Sequence, residues 1–337
     1  MPDTRYDVLG IGNAIVDIIA RCEDGFIAKH GLDKGHMHLV DADRSARIYA
    51  DMGPAVEESG GCAANTVVGV ASLGGRGAYI GKVASDEFGT VFRHDIHSLG
   101  IDFDSLPVEA GGPPTATSMI LVTPDGERTM NTHLGACVLL DEADVDANKV
   151  AAARITYLEG YLYDRPAAKR AFRLAAGHAR SAGRQVALSL SDAFCVDRHR
   201  AEFLDLIRAS VDIVFANTAE ITSLYQTANF GEACRRIAAD APLAAITRGA
   251  EGSLIVRGGE RIAVDAEPVA KVIDATGAGD LYAAGFLFGH ARGAPLAACG
   301  RLASLAAAEA ISHIGPRPGI KLAGLIAAKG LSVPASR

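Results

Sequence analysis

The sequence predicts an α/β fold whose central sheet is mainly parallel. Short apolar, β-branched runs alternate with longer amphipathic stretches, which is typical of strands connected by helices. The runs are apolar at consecutive positions, so both faces of the sheet should be covered. A chain of 337 residues suits about two domains, or one large domain with an elaboration.

Composition narrows the class of protein. Hydrophobic residues make up 49% of the chain and charged residues 22%, which excludes disorder as the main state. The net charge of -7 comes without clustered Lys and Arg, so we expect neither nucleic acid nor a membrane as partner. The longest uncharged run, Ser59–Gly75, is too polar to span a bilayer. A small molecule is the favoured partner.

The cysteines and the amino-terminal residues indicate a reducing compartment. Six cysteines are scattered along the chain with no CxxC pair and no His at metal-ligand spacing. No basic segment followed by an apolar segment marks a secretory signal. We therefore expect free thiols and a cytoplasmic protein.

The first half of the chain predicts a small β layer beside the main sheet. A strong turn signal, Pro124–Glu127, separates two of its strands. The predicted strands are Tyr6–Gly12, Ile15–Ala20, His36–Val40, Thr115–Thr123 and Arg128–His133. Residues 14–40 and 113–135 are thus expected to form a separate layer.

The second half predicts the alternating part of the fold. Pro166–Ala182 has Pro at a permitted first-turn position and Gly183 at the C-terminal cap, as expected of a helix. Long helices are also predicted over Leu281–Ala291 and Leu296–Ile311. The predicted strands are Ile155–Leu158, Val186–Leu190, Val211–Phe215 and Leu243–Thr247.

A glycine-rich turn before the helix at 281 is the most informative segment. A strand-like run, Val272–Ile273, leads into Gly277, Ala278 and Gly279. Such a turn directs free backbone N–H groups and the positive end of a helix dipole at one point, which favours a phosphate. Asp280 would repel that phosphate unless it accepts a proton from an attacking hydroxyl. The alternative is that Asp280 is only a favourable first-turn carboxylate and the glycines only make the turn.

Two common phosphate motifs are absent from the sequence. The Gly-Lys pair Gly81-Lys82 is followed by Val83 where a Walker A loop needs Ser or Thr. A dinucleotide fingerprint needs a third Gly, which follows neither Gly10–Gly12 nor Gly277–Gly279 at the required spacing. Neither a P-loop nor an NAD site is supported.

Two segments carry residues suited to a polyol. Gly60 and Gly61 precede an apolar helix that begins near Asn65, so a ligand could approach the backbone while the amide offers a donor and an acceptor. Asn13 lies at a strand end with Asp17 four residues later, and such a pair can hold vicinal hydroxyls. A turn Asn with a solvated Asp is the alternative for the second pair.

Two further loops follow strands of the main sheet. Asn217 and Glu220 form a capping-box pattern, which does not exclude a functional role. Thr247, Gly249 and Gly252 follow the next strand. Ligands of open α/β sheets gather outside the carboxyl ends of the strands. These two loops and the glycine-rich turn are therefore expected to converge on one edge.

In these motifs and in their order, the sequence resembles the ribokinase-like, or PfkB-type, carbohydrate and nucleoside kinases over nearly its whole length. Gly60-Gly61 with Asn65 is similar to the family's amino-terminal signature, and Asp274–Asp280 is similar to its carboxy-terminal signature. Asn217–Glu220 resembles the Asn-x-x-Glu motif, and Thr247, Gly249 and Gly252 resemble the nucleotide-loop pattern. Ala275 replaces the usual Thr, which removes a hydroxyl and no backbone donor.

Three less specific motifs resemble the adenosine kinase-type members of the family most. They are Gly12–Asp17, Leu32–Gly35 and Gly126–Asn131. The resemblance implies one ribokinase-like domain over residues 1–337, with a β lid formed by about 14–40 and 113–135.

The resemblance also implies a role for each motif. Asp280 would be the general base, and the N–H groups of Gly277, Ala278 and Gly279 would stabilise the transferring phosphoryl group. Mg²⁺ would accompany ATP, and a K⁺ site at Asp274 is a further possibility. Asn13, Asp17, Gly60, Gly61 and Asn65 would bind the sugar; Asn217, Glu220, Thr247, Gly249 and Gly252 would bind the nucleotide, with Asn217 and Glu220 holding Mg²⁺ through water.

The expected activity is ATP-dependent phosphorylation of the 5′-hydroxyl of a ribonucleoside, with adenosine favoured. Met37, Leu39, Met119 and Met130 are expected to flank the base. One alternative is a sugar kinase of the ribokinase or fructokinase type, and another is a non-catalytic nucleotide- or sugar-binding regulator. The sequence is compatible with a monomer or a homodimer.

Overall fold

The central sheet of the computed structural model, which describes residues 4–331 and 333–334, contains a run of parallel strands and an antiparallel hairpin at one edge. Its order is β13-β12-β11-β10-β9-β8-β1-β5; the pairs from β11 to β5 are parallel, and β11-β12 and β12-β13 are antiparallel. The strands are β1 (Tyr6–Ile11), β5 (Gly77–Ile80), β8 (Ala153–Glu159), β9 (Gln185–Ser189), β10 (Ile213–Asn217), β11 (Leu243–Thr247), β12 (Ser253–Arg257) and β13 (Glu260–Val264).

Helices cover both faces of this sheet, as the apolar runs predict. Val8 and Leu9 of β1 illustrate the alternation, because each contributes to a different hydrophobic core. One core contains α3 (Cys62–Ser72), α4 (Glu87–Ser98), α10 (Ala278–Ala291), α11 (Leu296–Ala310) and α12 (Leu322–Ala328). The other contains α5 (Ala147–Ala151), α6 (Pro166–Ser181), α7 (Ala193–Ser210), α8 (Thr218–Tyr225) and α9 (Phe230–Asp240).

A second, smaller sheet has the strand order β3-β7-β6-β2-β4. It includes both predicted segments and a strand that the sequence analysis did not predict, Ala55–Gly60. Helices α1 (Asp24–Lys29) and α2 (Ala42–Asp51) accompany it. Its strands are β2 (Ile15–Arg21), β3 (Met37–Leu39), β4 (Ala55–Gly60), β6 (Ala116–Val122) and β7 (Arg128–His133), which we call the small sheet.

The two faces of the small sheet have different neighbours. Met119 is fully buried, and its sulfur lies 3.8 Å from the hydroxyl of Ser45 on α2. Arg128 of β7 contacts Thr276, in the loop before α10. Met130 lies on the same face of β7 as Arg128, because side chains alternate along a strand. Met119 therefore faces away from Met130, and the expectation that both flank a base is wrong for Met119.

The segment before the glycine-rich turn is also different from the expectation. Residues 265–277 contain no strand, although the sequence analysis predicted that a strand feeds this turn. Pro268 lacks a backbone donor, and Val272 and Ile273 are 54% and 41% exposed, so this segment lacks the burial that defines strands in the central sheet. Gly277 thus follows a loop. Within the described residues, no helix has the length and apolarity needed to cross a membrane.

Candidate active site

The carboxyl ends of the central strands place the predicted motifs along one edge. Asn217 and Thr247 are paired neighbours at the ends of β10 and β11, as expected. Glu159 ends β8, and Gly12 and Asn13 follow directly after β1, which pairs with β8. The site is built on this edge, with the small sheet on one side and α3 and α10 behind it.

Helix α10 begins in the glycine-rich turn. Gly277 has φ +76°, and a Cβ there would lie 2.4 Å from the carbonyl oxygen of Pro316, so only glycine fits. Gly279 is exposed, and a Cβ at this residue would meet no heavy atom within 4 Å. The first-turn N–H groups of a helix lack partners within the helix, so this open face can receive an anion.

Asp280 lies in the first turn of α10, beside α3. Its Oδ2 accepts a hydrogen bond from Nδ2 of Asn65 at 3.0 Å, and its backbone carbonyl accepts one from the hydroxyl of Thr66 at 3.1 Å. Burial raises the pKa of Asp280 to about 6, although hydrogen bonds from Asn65 and Cys62 oppose the rise. A carboxylate with this pKa can act as a base near neutral pH.

Gly60 and Gly61 allow the chain itself to pack closely. A Cβ at Gly60 would lie 2.2 Å from Oδ2 of Asp17, and a Cβ at Gly61, whose φ is +100°, would lie 2.0 Å from the carbonyl oxygen of Asn13. These glycines were expected to allow a ligand to approach the backbone. The structure gives them a more direct purpose, because they let β2 and the Asn13 loop lie against the start of α3.

Glu159 was missed by the sequence analysis. Its two carboxylate oxygens accept hydrogen bonds from Nδ2 of Asn13 and from the backbone N–H of Ala63, both at 2.8 Å. Burial raises the pKa of Glu159 to about 7, and these two hydrogen bonds oppose the rise. Its position directly after the predicted strand 155–158 is the signal that could have indicated it.

Asp17 is nearly buried and available to a ligand. It is 7% exposed, and none of the residues that the structure describes donates a hydrogen bond to its carboxylate. Burial and the nearby Glu58 raise the pKa of Asp17 to about 7, against the positive charge of Arg317. Asp280 also lies close enough to contribute to this rise. A buried carboxylate with free acceptor positions suits a hydroxyl-bearing ligand.

Arg128 connects the small sheet to the glycine-rich turn. Its guanidinium pairs with Asp274 and donates to the hydroxyl of Thr276 at 2.6 Å. Asp274 also accepts from the backbone N–H groups of Thr276 at 2.7 Å and Gly315 at 2.8 Å. Burial lowers the pKa of Arg128 to about 10. The carboxylate proposed for K⁺ is therefore already occupied by one cation and two amides.

Asn217 and Glu220 form the capping box that the pattern predicts. Glu220 donates its backbone N–H to Oδ1 of Asn217 at 2.9 Å, and its carboxylate accepts from the backbone N–H and from Nδ2 of Asn217 at 3.0 and 2.6 Å. Burial raises the pKa of Glu220 to about 7. In the described part of the chain, no cluster of His, Cys, Asp or Glu could hold a metal alone. An amide oxygen and a carboxylate are the kinds of oxygen ligand that suit Mg²⁺, which usually keeps part of its water shell and is bound together with substrate phosphates.

The loop after β11 lies beside an open cleft of about 540 Å³. Gly249 and Gly252 have φ +58° and +77°, and a Cβ at Gly252 would lie 2.1 Å from the carbonyl oxygen of Val264, at the wall of the cleft. No local sequence pattern predicts this cleft, because its walls come from separate segments. They include Val264–Pro268, Ala297, Arg301, Ser304, Leu305, Lys329 and Leu331.

Comparisons with known proteins show the family to which this chain belongs. Residues 49–322 match the model of the pfkB family carbohydrate kinases. The chain belongs to the PfkB family. The adenosine kinase from Sinorhizobium meliloti has a solved structure that is 55% identical, with a TM-score of 0.89, and the match covers 98% of this chain and all of that one.

Two other PfkB-like relatives have different names. A structure named as a "probable sugar kinase protein" from Rhizobium etli CFN 42 is 53% identical, with a TM-score of 0.91, over 98% of this chain and all of that one. The nucleoside kinase from Methanothermobacter thermautotrophicus is 29% identical over 77% of this chain and 81% of its own length. The chain is therefore an ATP-dependent PfkB kinase that phosphorylates a hydroxyl group, with the ribokinase-like α/β fold that the sequence predicted.

Proposed function

We propose that this PfkB kinase phosphorylates the 5′-hydroxyl of adenosine. The observation that carries the proposal is the position of Asp280, which lies in the first turn of α10, next to the exposed Gly279, and close enough to the unpaired carboxylate of Asp17 to affect its ionisation. A hydroxyl held by Asp17 and its neighbours would be next to a base and next to an anion-binding helix terminus. The likeness to the adenosine kinase from Sinorhizobium meliloti supports a nucleoside as the acceptor.

The small sheet offers a surface for the base of the nucleoside. Met130 and its partner Met37 lie side by side on the face that carries Arg128. Ser118 and Thr132 are cross-strand partners on the same face, and their hydroxyls are 3.0 Å apart. An apolar pair next to two hydroxyls suits a flat heterocycle with polar edges. In this proposal, residues 14–40 and 113–135, together with β4, act as the lid.

The proposed reaction needs each group in one role. Asp280 accepts the proton of the 5′-hydroxyl as its oxygen attacks the γ-phosphorus of ATP, and the bond from that phosphorus to the bridging oxygen of ADP breaks. The N–H groups of Gly277, Ala278 and Gly279 stabilise the charge that develops on the phosphoryl oxygens. The sugar hydroxyls are held by Asp17 and by the set Asn13, Gly60, Gly61 and Asn65, and Glu159 holds Asn13 in place.

The nucleotide is proposed to lie along the carboxyl edge. Thr247, Gly249 and Gly252 lead to the cleft beside Val264, which has room for the adenine of ATP. Bound Mg²⁺ neutralises phosphate charge, and Asn217 and Glu220 would hold it through water. K⁺ near Asp274 remains part of the proposal, although Arg128 already balances that carboxylate.

A sugar kinase is the second candidate. The likeness to the Rhizobium etli protein favours it, and so does the exposure of Leu39, which is 64% exposed at the end of the proposed base surface. We further propose a cytoplasmic location and a monomer or homodimer.

Steady-state kinetics with adenosine, guanosine, ribose and fructose test the function. If the adenine ring of adenosine buries on the order of 100 Å² of apolar surface, binding gains about 2 to 3 kcal/mol that free ribose lacks. The kcat/KM for adenosine should therefore exceed that for ribose by about tenfold to a hundredfold. Met130→Thr should reduce that ratio, whereas Met119→Leu, on the opposite face, should leave it unchanged. A sugar that equals or exceeds every nucleoside would replace this proposal with the sugar kinase.

A further inference from the structure

A buried arginine, Arg317, joins the small sheet to the residues around Asp280. It is only 8% exposed, in the loop after α11. Its Nη1 donates to Oδ2 of Asp95 on α4 at 2.7 Å, and its Nη2 donates to the hydroxyl of Ser59 on β4 at 2.6 Å. The carboxylate of Asp95 also accepts from the backbone N–H of Ser59 at 2.8 Å. These contacts fix the guanidinium in one position between α4 and the small sheet.

The third contact of Arg317 fixes the orientation of an amide. Its Nε lies 3.5 Å from Oδ1 of Asn65, while Nδ2 of Asn65 donates to Asp280 at 3.0 Å. A side-chain amide has one donor end and one acceptor end, and a cation attracts the acceptor end. Without that cation, Asn65 could rotate and present its oxygen to the carboxylate, which would repel it.

Arg317 also supplies positive charge to an acidic region. Its charge lowers the pKa of both Asp17 and Glu58, which burial raises. His313, in the same loop, acts on Glu58 as well. The charged groups packed around these carboxylates are Asp17 on β2, Glu58 on β4, Asp95 on α4, Glu159 on β8, Asp280 on α10, and His313 and Arg317 after α11.

We propose that Arg317 is a positioning residue for phosphoryl transfer, which keeps the donor end of Asn65 on Asp280 and keeps Asp17 ready to accept the acceptor hydroxyls. It acts through these residues and needs no contact with the substrate. Its contact with Ser59 ties this function to the position of the small sheet. The inference rests on the proposed function, because it takes Asp280 as the base and Asp17 as an acceptor contact.

Kinetics of Arg317→Met and Arg317→Lys against pH test the inference. For Arg317→Met, we expect kcat/KM for adenosine to fall at least tenfold, KM for ATP to stay within twofold, and the acid limb of kcat/KM to move to higher pH. Arg317→Lys keeps the positive charge and loses the planar guanidinium that donates to two partners at once. The acid limb should therefore return to its wild-type pH, while kcat recovers only in part. A purely structural role would reduce the folded fraction and leave the limb in place.

Two further variants separate folding from positioning. Lys149→Met is the matched control, because Lys149 is also a buried cation, with a side chain that is 5% exposed and paired with Asp102 and Asp104. It lies on α5, next to the amino end of β8, whereas the site lies at the carboxyl ends of the strands. It should lower the melting temperature without moving the limb. Ser59→Ala loosens the guanidinium without removing its charge, so it should lower kcat at unchanged KM for ATP even if Arg317→Met does not fold.

The outcomes distinguish the inference from the function. Wild-type kcat and kcat/KM in both Arg317→Lys and Ser59→Ala would overturn the role of Arg317, provided that Asp280→Asn is inactive in the same assay. A wild-type enzyme that does not phosphorylate adenosine, or an active Asp280→Asn variant, would instead overturn the proposed function. An acid limb that moves equally in Lys149→Met would also count against the positioning role.

Discussion

At the residue scale, the carboxylates of the site differ in the partners that they have. Glu159 and Glu220 each accept hydrogen bonds from neighbouring backbone and amide groups, which hold both carboxylates in place. Asp280 has one oxygen on Asn65, and Asp17 is free to accept from a ligand. The chemistry is therefore expected to depend on Asp280 and Asp17, whereas Glu159 and Glu220 shape the site.

Replacing Asp280 tests the base directly. We expect Asp280→Asn to lower kcat by about 10²- to 10⁴-fold, because the amide keeps the shape and cannot accept the proton. Affinity for ATP, measured by calorimetry, should stay within about twofold, since uniform binding is unaffected. Asp205→Asn, at an exposed position on α7, is the matched control. A variant that retains more than half of the wild-type kcat would exclude Asp280 as the base.

Replacing Asp17 tests the acceptor site. A hydrogen bond to a charged group is worth about 1.5 to 3 kcal/mol, so Asp17→Ala should lower kcat/KM for adenosine by about tenfold or more. KM for ATP should change little, because the proposed nucleotide loop lies beyond β11. Calorimetry that shows equal losses of affinity for ATP and adenosine would place Asp17 outside the acceptor site.

The pH dependence follows from the raised pKa values. A base is active when deprotonated, so kcat should fall as the pH decreases through about 6, the pKa of Asp280. Asp17, with a pKa of about 7, must be ionised to accept two hydroxyl protons, so kcat/KM for adenosine should begin to fall at a higher pH than kcat. Rate profiles from pH 5 to 9 measure both limbs. Flat profiles between pH 5 and 7 would contradict both assignments.

At the element scale, the sequence predicted those parts of the fold that carry a local signal. Strands Leu243–Thr247 and Arg128–His133 match their predicted bounds, and the helix from Pro166 ends at Ser181, one residue before its predicted end. Strand Ala55–Gly60 was missed because Ala55, Val56 and Glu57 are exposed at the edge of the small sheet and carry no apolar alternation. Its pairing with β2 depends on tertiary contacts.

The residues of the candidate site also differ in whether a local sequence pattern predicts them. Asp280, Asn65 and Asn217 lie in motifs whose residues are close in sequence. In the structure Asn65 lies beside Asp280, and Asn217 is paired with Thr247. Arg317 and Glu159 could not be found in this way. Arg317 contacts residues more than 200 positions away, and Glu159 contacts Asn13 from 146 positions away, so no local pattern records them.

The first turn of α10 allows a paired test of structure against function. Gly277→Ala should destabilise the protein by about 1 to 2 kcal/mol or more, because φ is +76° and the new Cβ would meet Pro316. Gly279→Ala places its Cβ in open space, so stability should change by less than about 1 kcal/mol while kcat falls. Urea denaturation and steady-state kinetics measure the two effects. If Gly279→Ala kept full activity, the transferring phosphoryl group would not lie against this turn.

At the scale of the whole molecule, the site is a concentration of buried acid between two sheets. Asp17, Glu159, Asp280 and Glu220 all have pKa values that burial raises, to between about 6 and 7. Among the described residues, Arg128 and Arg317 connect the small sheet to the loops that precede α10 and follow α11. Such an arrangement favours activity at the expense of stability, because burial makes the ionisation of these carboxylates unfavourable.

The dependence of the free energy of unfolding on pH measures how much the ionisation of a buried carboxylate destabilises the protein. A carboxyl whose pKa is raised by folding contributes stability that is fully present below its unfolded pKa and is lost as the pH rises through its folded pKa. For Asp280 this window lies between about pH 4 and pH 6, and the whole loss is present at pH 8. Asp280→Asn removes the titrating group, so at pH 8 the variant should be more stable than the wild type by about 1 to 3 kcal/mol.

At pH 4 the difference between the two free energies of unfolding should be small, because Asp280 is protonated in the folded wild type and about half protonated in the unfolded wild type. Urea denaturation at pH 4, 6 and 8 gives the comparison, and Asp205→Asn again serves as the control, with no pH-dependent difference expected. The gain at pH 8 must coincide with the loss of kcat, since both arise from the same desolvated carboxylate. Equal stability of the wild type and Asp280→Asn at every pH would show that Asp280 ionises without cost, and its role as a base tuned by burial would have to be abandoned.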